Sequence, residues 1–295
     1  MRRRQFLSQS AVALALPSLA AAIEPFDRPR PGPTKLALAA YSYRDELTPS
    51  DGQPAAMTLF DLVDWCRDHN VPGVELTSYY FAPDYDEPYL RRLARHCHTA
   101  GISISGGAIR NNFCLPDDAL AAEVAEVKRW IDAYAVLGAP VIRIFAGKVP
   151  KSVSLEQATA QCIKGCEQAA AYAEERGVML ALENHGGITA TPETMLPIVR
   201  GVHSPAFGVN FDSGNFRTDD PYRDLTQIAP YAINAQIKVA MGERGSRTPA
   251  DLPRVLSILK DAGYGGWVAL EYEEGGDTEA EVLRYLDQLR PLLAG

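Results

Sequence analysis

The sequence predicts an α/β protein folded as a single (β/α)₈ barrel. Three observations carry that expectation. From Lys35 onward, short strand-like runs alternate with helical patterns, and there are eight such pairs, the number that closes a parallel sheet into a barrel. Within the runs one parity is bulky and apolar, as packing against an outer helix demands, while the other turns polar toward the C-terminal end. Residues that start and stop helices punctuate the intervals.

The candidate strands fall at 36–41, 73–77, 102–106, 140–146, 178–183, 206–212, 233–238 and 266–271. The candidate helices fall at 58–69, 88–100, 117–138, 154–176, 191–200, 222–230, 250–260 and 278–290. Thr58, Asp117, Ser154, Thr191 and Thr248-Pro249 stand where N-caps belong. Gly101, Gly138 and Gly177 stand just past helix ends, where a left-handed residue is needed. The stretches 42–57 and 78–88 follow strands and read as loops over the barrel mouth.

Alternation assigns the faces. Val74, Leu76, Ile142, Ile144, Leu180, Leu182, Val209, Phe211, Ile237, Val268 and Leu270 point outward. The opposite parity brings Gly73, Glu75, Arg143, Phe145, Glu183, His185, Asn210, Asp212, Asn234, Gln236, Lys238, Trp267 and Glu271 to the axis. Buried charge without a partner is unfavourable, so a barrel lined this way calls for a bound cation and a polar ligand.

Composition sets further bounds. The chain has 295 residues, 46% hydrophobic and 22% charged. Residues 1–22 read as a secretory leader: Arg2-Arg3-Arg4, an apolar stretch from Ala11 to Leu16, then Ala20-Ala21-Ala22. Arg3-Arg4-Gln5-Phe6-Leu7 is similar to a twin-arginine signal, which directs export of folded proteins and predicts a periplasmic location. Residues 23–34 are Pro-rich and read as an extended linker, leaving 35–295 as the catalytic domain. Removing the leader takes three arginines and no acid from 29 basic and 37 acidic residues, which leaves a net charge of −11. Nucleic acid and anionic membranes need a basic surface, so neither is an expected partner, and nothing holds the cleaved chain to a membrane. The five cysteines, Cys66, Cys97, Cys114, Cys162 and Cys166, form no CxxC pair.

Four consecutive strands end on oxygen donors: Glu183, Asp212, Gln236 and Glu271. Three carboxylates and one neutral amide suit a hard or borderline divalent ion, Mn²⁺ or Mg²⁺ first, with Co²⁺ or Zn²⁺ as further occupants. The plainer alternative pairs each acid with Lys238, Arg143 or Lys148. His185, on the parity of Glu183, is a candidate for a substrate hydroxyl, or else a packed histidine beneath Gly186-Gly187. Arg143 and Lys238 are candidates for substrate oxygens or for balancing the acids. Glu75 is a candidate for substrate, or for a salt bridge with Arg110 or Arg143. Tyr41, Tyr43, Tyr79, Tyr80, Phe81 and Phe113 lie near strand ends, as an aromatic wall for a sugar ring or as loop packing.

Glu183-Asn184-His185, Asp212-Ser213-Gly214-Asn215, Gln236-Ile237-Lys238 and Ala269-Leu270-Glu271-Tyr272 resemble the xylose-isomerase-like sugar phosphate isomerase/epimerase family. The resemblance runs from Ala39 to Glu271 and implies a TIM barrel in which a Glu-Asp-His-Glu set holds the ion. Glu183, Asp212 and Glu271 match that set. Gln236 stands where many epimerases have His, as in hydroxypyruvate-isomerase-like members, and Asn215 replaces a second His, next to the substrate. The implied chemistry is proton transfer next to a carbonyl through an enediolate, with Glu183 and Glu271 as ligands and as acid and base. The expected partner is a small carbohydrate, free or oxidised; the oligomeric state, a homo-oligomer included, stays open. Two other readings remain: a lyase or hydrolase acting on 3-keto-glycosides, and a non-catalytic sugar-binding barrel.

Overall fold

The computed structural model of the protein describes residues 23–28, 32–50, 52–243 and 245–293. Eight parallel strands form a closed barrel: β1 (Thr34–Ala39), β2 (Gly73–Thr77), β3 (Ser103–Ala108), β4 (Val141–Ile144), β5 (Met179–Glu183), β6 (Phe207–Asp212), β7 (Ala232–Ile237) and β8 (Gly266–Leu270). Each pairs with its sequence neighbours, and β8 closes on β1 through Thr34 to Leu38 against Gly266 to Leu270. The helices are α1 (Leu59–Asp68), α2 (Glu87–Ala100), α3 (Asp117–Leu137), α4 (Leu155–Arg176), α5 (Pro192–Gly201), α6 (Pro221–Ile228), α7 (Leu252–Asp261) and α8 (Thr278–Leu293).

The elements begin and end for local reasons. Thr58 and Ser154 form reciprocal capping boxes with Asp61 and Gln157. Gly101, Gly138 and Gly177 end α2, α3 and α4 with φ of 76°, 76° and 71°, the left-handed conformation that favours glycine. Three expected caps differ. Pro116 occupies the N-cap of α3 and Asp117 is its first residue. Thr191 holds the cap position of α5 without a side-chain bond. Asp251 caps α7 by accepting from Arg254 N, because Thr248-Pro249 is drawn into a short antiparallel pair with Ala240-Met241.

The barrel interior has three levels. In the lower half, Ala37, Ala39 and Ala269 pack with the Trp267 indole. Gly73 leaves room for that ring: a Cβ there would lie 2.5 Å from it, a close approach only glycine allows. Above this, Glu75, Asn210, Asn234 and Gln236 form a buried polar layer. At the C-terminal ends of the strands stand Arg143, Glu183, Asp212, Lys238 and Glu271, also buried. Outside the barrel, Leu38, Leu76, Phe207 and Phe211 are fully buried beneath the helices, each contributing about 1.5–3 kcal/mol of apolar burial.

Residues 23–28 lack regular secondary structure, as a linker should, but they are docked rather than free. Ile23 is buried, Phe26 N donates to Pro230 O at 3.1 Å, and the Arg28 guanidinium bonds Ala232 O while lying 5.7 Å from the Tyr264 ring centroid. Every one of these contacts is at the N-terminal end of the barrel. The expected leader, residues 1–22, lies outside the described residues. Among the described residues no helix is long and apolar enough to cross a membrane. All five cysteines are buried free thiols; burial pushes Cys97 and Cys114 up to about 12.

Candidate metal and sugar site

The walls of the site are tied together before any ligand is considered. Asn184, fully buried after β5, donates to Asp212 O and accepts from Asp212 N, both at 3.0 Å, so the ends of β5 and β6 are locked. Ser213 Oγ accepts from Lys238 N at 2.8 Å, joining β6 to the residue after β7. Ser42 Oγ accepts from Tyr272 N at 2.9 Å and donates to Leu270 O, fixing β8 to the loop after β1. These short polar residues position the backbone that carries each acid.

Glu183 lies at the centre. Its Oε2 pairs with Arg143 Nε at 2.9 Å and its Oε1 accepts from Asn215 Nδ2 at 2.8 Å. Arg143 is itself held: Nη1 donates to Ile109 O at 2.8 Å, the Tyr79 hydroxyl lies 3.4 Å away, and the guanidinium stacks 4.0 Å above the Phe145 ring. The Lys238 ammonium stands among three carboxylates, 2.7 Å from Glu273, 3.1 Å from Glu271 and 3.5 Å from Asp212. Asp212 Oδ1 accepts from Gly214 N at 2.8 Å, whereas its Oδ2 is buried without a hydrogen-bond donor.

Gln236 is turned away from this group. Its Nε2 donates to Glu75 Oε1 at 2.6 Å and its Oε1 accepts from Asn210 Nδ2 at 2.7 Å. Asn234 Nδ2 completes the layer by donating to Glu75 Oε2 and to Asn210 Oδ1. Glu75 therefore pairs with neither Arg110 nor Arg143, and it does not line the cavity described below. The two amides reach it from β7, across the barrel from β2.

Charge balance decides what the site needs. Glu75, Glu183, Asp212 and Glu271 are buried acids, and Arg143 and Lys238 are the buried cations among them. Burial pushes Glu183 up to about 7 against the pull of Arg143. Burial, reinforced by Glu271, does the same to Glu75. Burial likewise raises Asp212 despite Lys238. Burial alone would lower the Lys238 ammonium, but Asp212, Glu271 and Glu273 outweigh it and hold the group well above its ordinary range. With all four acids ionised the excess is two negative charges, the charge of one divalent ion, and Asp212 Oδ2, 3.5 Å from the Lys238 ammonium, accepts no hydrogen bond. The donor chemistry of Glu183, Asp212 and Glu271 thus fits such an ion. Gln236 fits less well, since both ends of its amide are engaged. Among the described residues no three His, Cys, Asp or Glu side chains are already gathered tightly enough to hold an ion; Arg143 and Lys238 occupy the space between them.

A cavity of about 770 Å³ opens above these groups, lined by Glu183, Glu271, Lys238 and Arg143 on the inner side. His185, in the loop after β5, lies at its rim with its ring 4.4 Å from that of Phe145; it is neither on the strand nor buried under the two glycines. Asn215 lines two smaller adjoining cavities. Of the expected aromatic wall, Tyr41 and Tyr79 face the main cavity, whereas Tyr43, Phe81 and Phe113 are buried in the hydrophobic core. Phe145 takes their place. Its inward parity was visible in the sequence, as it was for Asn210 and Asn234, but no motif singled these three out.

Comparison with known proteins places this arrangement. A search of curated protein sequences found no significant match. Solved structures share the architecture. The Xylose isomerase domain protein from Planctomyces limnophilus superposes with a TM-score of 0.66 at 19% identity, covering 89% of this chain and 97% of its own. D-psicose 3-epimerase with D-tagatose, from Clostridium cellulolyticum H10, gives 0.72 at 16%, covering 88% and 99%. The IolI protein with a binding zinc atom gives 0.71 at 19%, covering 88% and 98%. At these identities it is the fold that is shared. The profile of one family matches residues 63–290, most of the barrel and every strand end that carries the acids. The chain belongs to the xylose isomerase-like TIM barrel family.

Proposed function

We propose that the protein is a divalent-metal-dependent sugar isomerase or epimerase that moves a proton next to a carbonyl. The observation that carries the reading is the set of buried carboxylates Glu183, Asp212 and Glu271, which outnumber Arg143 and Lys238 beside a cavity of sugar-binding size. Structural neighbours solved as a D-psicose 3-epimerase with D-tagatose and as a zinc-binding IolI protein support it.

Glu183, Asp212 and Glu271 would hold the ion, Mn²⁺ or Mg²⁺ first, with Gln236 joining only if its amide leaves Glu75 and Asn210. When bound, the ion supplies a Lewis acid that stabilises oxyanion charge on the substrate. The remaining work belongs to the chain. Glu183 and Glu271 enter the cavity from β5 and β8, so they flank a sugar between them and are the groups to remove and return its proton. Arg143 and Lys238 supply fixed positive charge on the same wall, suited to hydroxylate or carbonyl oxygens. Tyr41 and Tyr79 offer ring faces to the sugar's C–H surface, and His185 and Asn215 are placed for its hydroxyls. A lyase acting on 3-keto-glycosides would use the same proton removal, and the cavity's reach beyond the acids leaves room for an aglycone.

The test is incubation of the Mn²⁺-loaded protein with ketoses and 3-keto-glycosides in D₂O. Deuterium on one carbon without bond cleavage is the expected result, and loss of the aglycone would move the assignment to the lyase. No exchange with any substrate, together with no Mn²⁺ binding in titration, would leave a sugar-binding barrel. We also propose that the chain is exported folded by the twin-arginine route to the periplasm. Five buried, unpaired thiols suit a chain that completes its core before meeting an oxidising compartment.

A further inference from the structure

The cavity changes character from its floor to its rim. The floor is charged. The outer side, from the loop after β4 to the first residue of α4, carries the apolar side chains Phe145, Val149 and Leu155, with Lys148 of that loop and Arg110, after β3, beside them. Leu155 is the anomaly. It is 69% exposed, and among the described residues Leu292 is the sole other exposed large hydrophobic side chain. Leu155 is the first residue of α4, where Ser154 and Gln157 already complete the capping box, so the helix gains nothing from leucine there; an acid would serve the helix dipole better.

From this we infer that the outer half of the cavity is a second subsite, which takes an apolar ring joined to the sugar, so that the substrate is an aryl glycoside or a similar ring-bearing sugar rather than a lone monosaccharide. The inference rests on the proposed carbonyl-sugar site at the floor. A pocket of about 770 Å³ belongs to the class that engulfs drug-sized ligands, and a single hexose against Glu183 and Glu271 leaves the Leu155 side empty. An isolated leucine is too little for a protein partner, which needs a contiguous patch; one ring needs no more than Leu155, Val149 and Phe145. Arg110, stacked 4.1 Å over the Tyr79 ring, and Lys148 have no carboxylate partner among the described residues, and they would favour a ring bearing a phenolic or acidic oxygen.

Calorimetric titration of the Mn²⁺-loaded protein with 4-nitrophenyl and methyl 3-keto-β-D-glucopyranosides tests this. The nitrophenyl compound is expected to bind about tenfold more tightly than the methyl compound. Leu155→Ser should remove most of that preference and leave methyl-glycoside binding unchanged, while Leu155→Phe should keep it. Equal affinity for the two compounds overturns the subsite alone; binding of neither overturns the floor reading with it. A Leu155→Ser variant that changes sedimentation behaviour but not the affinity ratio assigns Leu155 to contact between copies, and also overturns the subsite.

Discussion

The lower and upper ends of the barrel interior are made by the same strands, yet they meet opposite demands. Trp267 and Glu271 lie four residues apart on β8 and just past it, on one parity. Below, the indole is packed among Ala37, Ala39 and Ala269 over Gly73, with no charged side chain in the cluster. Above, Glu271 shares Lys238 with Asp212 and Glu273, and acids outnumber cations. The contrast teaches that stability and candidate chemistry are separated along the strand direction: the lower end contributes folding free energy, and the upper end holds like charges that weaken the fold.

That separation can be broken at several points. Glu183→Gln should lower the deuterium exchange rate by roughly 10²–10⁴-fold while leaving the melting temperature close to that of the parent; a variant that keeps its rate would remove Glu183 from the chemistry. At the other end, Trp267→Ala should destabilise by about 3 kcal/mol, read from denaturant midpoints, with exchange per folded molecule unchanged. Gly73→Val, which drives a side chain into the indole, should cost about 1–3 kcal/mol. Lys238→Met tests the competition between ammonium and metal for the same oxygens. Its metal-free form should melt below the parent, and saturating Mn²⁺ should raise its melting temperature more than it raises the parent's.

The pH dependence sharpens the comparison further. Burial raises Glu75 and Glu183 to about 7 in the folded state. Each therefore binds its proton more readily when folded than when unfolded. Their neutral forms leave stability intact below the ordinary carboxylate range, and that stability is lost as pH rises through about 7. Metal-free protein should melt lower at pH 8 than at pH 5.5, and the Trp267→Ala variant should show the same slope from a lower start. A flat profile would mean that the upper acids are already neutralised. Smallest of all, the thiols of Cys97 and Cys114, raised by burial to about 12, should not react with a thiol reagent at pH 8 until the protein is unfolded.

Much of this molecule was legible in the sequence because period-two alternation and helix caps are local signals. The eight strands and eight helices fall close to their expected positions, and the parity of Glu183, Asp212, Lys238 and Glu271 was correct. What was not legible depends on partners far apart in the chain. Gln236 meets Glu75 at a separation of 161 residues, and no local pattern says which way its amide turns once both are buried. Parity alone likewise could not choose Phe145 over Phe113 as a cavity wall: the first projects from the end of β4 into the open mouth, while the second folds back into the core. The sequence reads 23–34 as an extended linker; the docking of residues 23–28 rests on Arg28 reaching carbonyls at residues 232 and 262, a contact that no composition rule contains.

That docked segment has a practical consequence. Residues 23–28 lie across the N-terminal end of the barrel, so this segment sits on the face opposite the cavity. A tag, a fusion partner or a solid support attached there leaves the mouth clear and pointing outward. The end of α8 lies on the same underside, where Arg290 Nη2 donates to His69 O at 2.5 Å. Both of these segments lie away from the cavity mouth.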